Sequence, residues 1–178
     1  MVLATSVGGL DRMEKYYYEF YGKDDPHAHP LMTHDKGKTT EGIARELGIQ
    51  GYVSTISTAC SAGANAIMQA ARLIESGKLD RVVAGGSDPI VLFNIKGFSS
   101  LKIYDDELCK PFDEARAGLN LGEGACFLVL ENEHSISITG NKPLCLLSGW
   151  NNSSDAFHQT ASSVEGKGAT LTMNKALE

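Results

Sequence analysis

No run of apolar residues in this sequence approaches the roughly 20 that a membrane-spanning helix needs. No C-x-x-C pair occurs among its four cysteines, Cys60, Cys109, Cys126 and Cys145. Structural zinc sites bring their ligands in close pairs and secreted disulfide scaffolds are cysteine-dense, so neither fits, and reduced thiols in a cytosol are expected. An excess of basic residues is also missing. The net charge of −6 disfavours a nucleic-acid partner, which would want a concentrated basic face, but it leaves open an acidic protein partner, which needs only a local basic patch. The opening residues lack the charged-then-apolar order of a secretory leader, so a cytoplasmic protein without a membrane span is expected.

What is present is ordinary globular composition, 42% hydrophobic and 21% charged over 178 residues. That length suffices for one domain burying roughly 70% of its unfolded surface, or for part of a larger one. VLATS (2–6) predicts a short strand closed by Gly8-Gly9, and LDRMEKYYYEFYG a helix stopped at Gly22. The proline-containing stretch 24–38 reads as loop. TTEGIARELG predicts a helix capped by Thr39 or Thr40 and ended by Gly48. GYVSTIST is β-branched and aromatic. After it, Ala66, Ile67, Ala70, Leu73 and Ile74 recur at helical steps up to Gly77, and DRVVAGGSD is a short apolar strand. Strand, helix, strand is the βαβ pattern of a buried parallel sheet. GEGACFLVLEN and KPLCLLSGW read as two further strands around a short, weakly helical piece, 151–168 as irregular, and the last residues as a helix cut by the chain end. Cys109, Cys126 and Cys145 have apolar neighbours and are expected to be buried small hydrophobes.

Cys60 has a different setting. It falls where the β-branched run meets the helix, where unpaired backbone N–H groups and the helix dipole stabilise negative charge, as a thiolate nucleophile requires. The same N–H groups can face the oxygen of an attacked carbonyl. Ala59, Ser61, Ala62 and Gly63 are small, so a thioester can approach and the strand can turn sharply, much as in a nucleophile elbow without its G-x-S-x-G sequence. Position alone leaves Cys60 open between nucleophile and packed thiol.

Four blocks in order resemble the β-ketoacyl-ACP synthases, the condensing enzymes of fatty-acid and polyketide synthesis. They are STACSAGANAI, AARLIESGKLDRVVAGGSD, KPFDEARAGLNLGEGACFLVLE and SSDAFHQT, and TSVGGLDR near the start is similar to a further family segment. The resemblance implies a thiolase-like, layered α/β/α fold, here incomplete. Residues 1–140 would belong to the N-terminal half, which carries the nucleophile, and 141–178 would begin the C-terminal half. It makes Cys60 the catalytic residue, receiving an acyl group from acyl carrier protein as a thioester, with its backbone N–H as one oxyanion donor. Decarboxylation of malonyl on carrier protein then supplies the carbanion that attacks. Val7 matches a position lining the acyl pocket, Thr160 one near the pantetheine entrance, and Lys110 a basic position facing the carrier protein. No cofactor is implied beyond the carrier's phosphopantetheine. The complete protein is expected to be a homodimer.

The sequence departs from the family pattern in two main ways. The two active-site histidines expected downstream, the first in an H-G-T-type motif, are not among these residues, and the family's first strand and helices have no counterpart before Met1. The chain therefore reads as a central piece that would not condense by itself. Leu119 stands where the family usually has Phe. A thiolase acting on coenzyme A thioesters shares the fold and the cysteine, but the T-A-C-S-A-G setting and the P-F-D block favour the synthase. A non-catalytic partner subunit would typically have replaced Cys60, and a Cys-His hydrolase finds no supporting histidine element.

Other groups read as structural. His158 is expected to be a hydrogen-bonded structural residue, and Asp113 with Arg116 to hold the PFDEARAG turn. Glu114 and Glu123 fit structural roles better than acid–base ones. His27, His29 and His34 could hold zinc, but loop histidines are usually solvated and no metal is expected. The aromatic run Tyr16, Tyr17, Tyr18, Phe20 and Tyr21 divides between core and interface.

Overall fold

The computed structural model describes residues 1–20, 35–158 and 161–178. The histidines 27, 29 and 34, Tyr21, Gly22 and Thr160 lie outside them. The elements are β1 (Val2–Ala4), α1 (Leu10–Phe20), α2 (Lys36–Glu46), β2 (Ser54–Ile56), α3 (Ala62–Glu75), β3 (Arg81–Asp88), α4 (Leu92–Ser100), β4 (Gly124–Glu131), α5 (Glu133–Thr139) and α6 (Lys167–Leu177). They fall into two compact units, Met1–Ile67 with Val83–Val129, and Met68–Val82 with Leu130–Glu178.

The first unit is organised by a four-stranded sheet of order β2-β1-β3-β4. β1 runs parallel to both neighbours, Leu3 lying opposite Thr55 on one side and Gly85 on the other. All three residues of β1 are buried, as expected for a strand with a partner on each side and covered faces. Met1, Leu3 and Ala44 form one core cluster with Ile43, Ile49, Val53 and Val83 around it. Val7, Leu10 and Val91 form another against Met13. Gly85 is required by close approach: a Cβ there would sit 2.1 Å from the Cys126 carbonyl oxygen and 2.7 Å from Phe127 Cα. The parallel strands and crossover helix match the βαβ expectation, with β1 lying between β2 and β3.

Two helices of this unit differ from the sequence reading. α2 starts earlier than Thr39, because Asp35, in extended conformation, accepts a hydrogen bond from the Gly37 N–H at 2.9 Å. Thr40 is instead buried and hydrogen-bonded to Thr55. α4 has no counterpart in the sequence reading. Its N-cap, Val91, has no capping side chain, and the cap comes from α1, where the Glu14 carboxylate accepts from the N–H groups of Leu92 and Phe93 at 2.8 and 2.7 Å. A cap supplied by another helix leaves no local pattern.

In the second unit, Asn132 caps α5 by accepting from the Ser135 N–H, and Gly140, at φ 68°, ends it. Arg81 pairs with Glu131 at 2.7 Å and donates to the Ser135 hydroxyl, which itself donates to Glu131. These donors, the Ser135 hydroxyl foremost, hold the Glu131 carboxyl below the ordinary carboxylate range. The expected strand at 142–150 does not form. A strand requires a ladder partner, and none of the described residues pairs with this stretch; Leu144 and Leu146 are exposed, and Gly149 packs on α6, where an added Cβ would lie 1.9 Å from the Ala176 carbonyl oxygen. Among the described residues, no helix is long and apolar enough to cross a membrane.

Cys109, Cys126 and Cys145 are exposed, against expectation. Apolar neighbours in sequence bury a thiol only where the element is covered. Cys126 lies on β4, which ends the sheet order and is exposed from Gly124 to Val129, while Cys109 and Cys145 lie in exposed loops.

Candidate active site

The candidate site is built where β2 runs into α3. Ala59 takes a left-handed φ of 52°, uncommon for a residue with a Cβ and costing on the order of 1 kcal/mol. That turn brings Cys60 into the open, one residue before Ser61, whose carbonyl accepts the first bond of the helix from the Asn65 N–H. Ser61 Oγ donates to the Thr58 carbonyl at 2.8 Å. Asn65, buried on the first turn of α3, donates from Nδ2 to Thr58 Oγ1 at 2.7 Å. The turn is thus clasped to the helix on both sides of the cysteine. The small residues read from the sequence permit this geometry, and α3 beyond it buries Ala62 and Ala66.

A second turn meets the first. Residues 5–8 follow β1, and the Ser6 hydroxyl donates to the Ala59 carbonyl at 3.4 Å, a long contact. Val7 belongs to this turn, with its side chain buried against Leu10 and Val91. The Asp88 carboxylate, at the end of β3, accepts from the Thr5 hydroxyl at 2.6 Å and from the N–H groups of Ser6 and Val7 at 2.8 and 3.0 Å. Cys60 and Val7 are therefore carried by two turns in contact. Neither Asp88 nor Asn65 stands out from sequence. For Asp88 a signal exists, since the ends of parallel strands are where sites gather in open α/β sheets.

Of the other expected residues, Lys110, Asp113, Arg116 and Glu123 belong to the first unit and His158 to the second. Lys110 sits on an exposed loop, paired with Glu107 at 3.1 Å. In the same loop, Arg116 donates to the Asp113 carbonyl at 2.8 Å while the Asp113 carboxylate accepts from the Ala115 N–H, so the pair does hold the turn. Glu123 accepts from the Ile90 N–H. His158 accepts at Nδ1 from the Ala161 N–H at 3.2 Å. Asp155 fastens the loop that contains His158, accepting from the N–H and hydroxyl of Ser163 at 2.6 and 2.9 Å and from Gly168 N–H at 3.3 Å. Those bonds, with Ser163 first, lower its pKa. Among the described residues, no three His, Cys, Asp or Glu side chains are grouped to hold a metal ion.

A largely parallel sheet that delivers an exposed cysteine on a strained turn to the start of a helix, in a chain superposing on ketosynthases, defines the thiolase-like α/β class. Within that class the chain belongs to the beta-ketoacyl synthase family, its residues 2–135 matching the family's N-terminal domain. It is 31% identical to 3-oxoacyl-(acyl-carrier-protein) synthase 2 of Staphylococcus aureus over 99% of the chain and 46% of the relative. It is 33% identical to Nodulation protein E of Rhizobium meliloti over 92% of the chain and 42% of that protein. Among solved structures, a chain from a ketosynthase in complex with its chain length factor from Xenorhabdus doucetiae matches with a TM-score of 0.82 and 35% identity, over 99% of this chain and 43% of that one. A type II polyketide synthase structure, acyl carrier protein in complex with its ketosynthase bound to the hexaketide, matches with a TM-score of 0.87 and 26% identity, over 99% of this chain and 47% of that one. The chain spans less than half the length of these relatives.

Proposed function

We propose that this chain is the nucleophile-bearing part of a 3-oxoacyl-ACP synthase of fatty-acid or polyketide synthesis. The observation that carries the reading is the exposed Cys60 on its left-handed Ala59 turn, joined to the turn that bears Val7. The Cys60 sulfur attacks the thioester carbonyl of acyl carrier protein. The new S–C bond forms as the carrier's S–C bond breaks, and the proton lost by Cys60 leaves with the carrier thiol. The Cys60 N–H faces the carbonyl oxygen during attack. Malonyl carrier protein then loses carbon dioxide, and the resulting carbanion displaces Cys60 from the acyl carbon. The histidines that the family pattern brings to that second step are not among these 178 residues, and the chain by itself is expected to be inactive.

Val7 lines the acyl pocket, Thr160 stands at the pantetheine entrance, and Lys110 faces the acidic carrier once released from Glu107. The only prosthetic group involved is the carrier's phosphopantetheine. The complete protein acts in the cytoplasm as a homodimer, with residues 1–140 in its N-terminal half and 141–178 opening the C-terminal half; the family match ending at residue 135 supports that boundary.

The test is to incubate the complete protein with acyl carrier protein bearing a labelled acyl group and, separately, with the matching acyl coenzyme A, then map adducts by peptide mass spectrometry. The expected result is an acyl adduct at Cys60, lost in Cys60→Ala and formed faster from the carrier protein. Adduct formation only from coenzyme A would favour a thiolase, and no adduct at Cys60 from either donor would overturn the reading.

A further inference from the structure

We propose that Asp88 is a positioning residue that, through Ser6, aims the peptide group between Ala59 and Cys60. The inference gives a cause for the oxyanion geometry in the proposed acyl transfer, and to that extent rests on that reading.

One carboxylate holds three consecutive residues of the first turn. Asp88 Oδ1 accepts from Thr5 Oγ1, Ser6 N–H and Val7 N–H at 2.6, 2.8 and 3.0 Å, and Oδ2 also accepts from Ser6 N–H at 3.1 Å. Hydrogen bonds to a carboxylate are about twice as strong as neutral ones. Thr5 is fully buried and its hydroxyl oxygen also accepts from the Gly8 N–H at 2.8 Å, which closes the turn from its far end. Gly8 is needed there, since a Cβ would lie 2.7 Å from Thr5 Oγ1. Ser6 has little freedom in such a turn, and its hydroxyl is left facing the other loop.

That hydroxyl donates to the Ala59 carbonyl, which also accepts from the Ala62 N–H at 3.0 Å. Carbonyl oxygen and following N–H belong to one planar trans peptide and point in opposite directions. Fixing the Ala59 oxygen from two sides therefore fixes the direction of the Cys60 N–H, the group that receives charge from an attacked thioester. It also offsets the cost of the left-handed conformation at Ala59. Because the same carboxylate binds the Val7 N–H, Asp88 sets the acyl-pocket residue and the oxyanion donor in one frame.

The experiment compares Asp88→Asn, Ser6→Ala and Ser6→Thr in the complete protein by three measurements. In isotope-labelled protein, the Ala59 carbonyl carbon and Cys60 amide resonances should move in Asp88→Asn and Ser6→Ala and stay near wild type in Ser6→Thr, with resonances of α6 unchanged. Acyl transfer from acyl carrier protein to Cys60 should slow at least about tenfold in the first two variants, since a misaimed oxyanion donor loses part of what a deleted one loses. Alkylation of Cys60 by iodoacetamide, which forms no oxyanion, should change by less than about twofold. Unmoved Ala59 and Cys60 resonances would overturn the inference whatever the transfer assay gives. So would acyl transfer and alkylation falling together with the melting temperature, the pattern of a merely structural clasp. Failure of wild type to accept an acyl group would instead remove the functional reading, and the resonances would still decide whether Asp88 aims the peptide.

Discussion

At the scale of single residues, Gly85 has a sharp consequence. A Cβ placed on it meets the Cys126 carbonyl oxygen at 2.1 Å and Phe127 Cα at 2.7 Å, and both are backbone atoms of a paired strand that cannot rotate away. Gly85→Ala should therefore destabilise the chain by about 2–3 kcal/mol, as overpacking does, read as a lower denaturant midpoint with an unchanged slope. Gly63, in α3, where an added Cβ would meet nothing within 4 Å, is the matching control, and Gly63→Ala should leave stability unchanged or raise it by up to about 1 kcal/mol. The placement of Cys60 where a strand turns into a helix is legible in the sequence because its signal is local: small residues, a β-branched run before it and a helix after it. Ser6 and Asn65 are not, because their roles rest on hydrogen bonds to turns whose approach no local pattern encodes; Asp88 is marked only by its place at the end of a parallel strand, and the Ser6 it binds is 82 residues away. The exposure of Cys109, Cys126 and Cys145 escapes the sequence for the same reason, since apolar neighbours do not say whether a face is covered.

At the scale of elements, helix caps separate what a sequence announces from what it conceals. α2 carries its own cap, and Asp35→Ala removes the acceptor for the Gly37 N–H. The expected cost is about 1 kcal/mol in a denaturation experiment, with Asp35→Ser recovering most of it. α4 depends on Glu14 of α1 for the same service, which explains why its residues give no start signal. The short strands and α3 are readable from β-branched content and three-to-four-residue spacing, helped by Gly77, whose φ of 68° suits a helix stop. The stretch 142–150 has strand composition without a ladder partner, and composition alone does not make a strand.

At the scale of the whole molecule, two carboxylates among the described residues tie stability to pH, and both belong to the second unit. Glu131 is held below the ordinary carboxylate range by Ser135, Asn141 and Arg81, and Asp155 by Ser163, Gly168 and the nearby Lys167 charge. A carboxyl that binds its proton less readily when folded than when unfolded stabilises the fold fully above its unfolded value. That contribution disappears as pH falls through the lower folded value. The loss should begin as pH falls through the ordinary carboxylate range, about pH 4, and continue below it. Trp150 is the only tryptophan and lies in this unit, so its fluorescence follows the unit directly. Acid titration of wild type should give a cooperative change in Trp150 emission in that range. The double variant Glu131→Gln, Asp155→Asn should be less stable at neutral pH and show a flatter dependence of stability on pH below about 4, because these groups, whose protonation is linked to folding, are gone. An acid limb as steep in the double variant as in wild type would assign acid sensitivity to other groups.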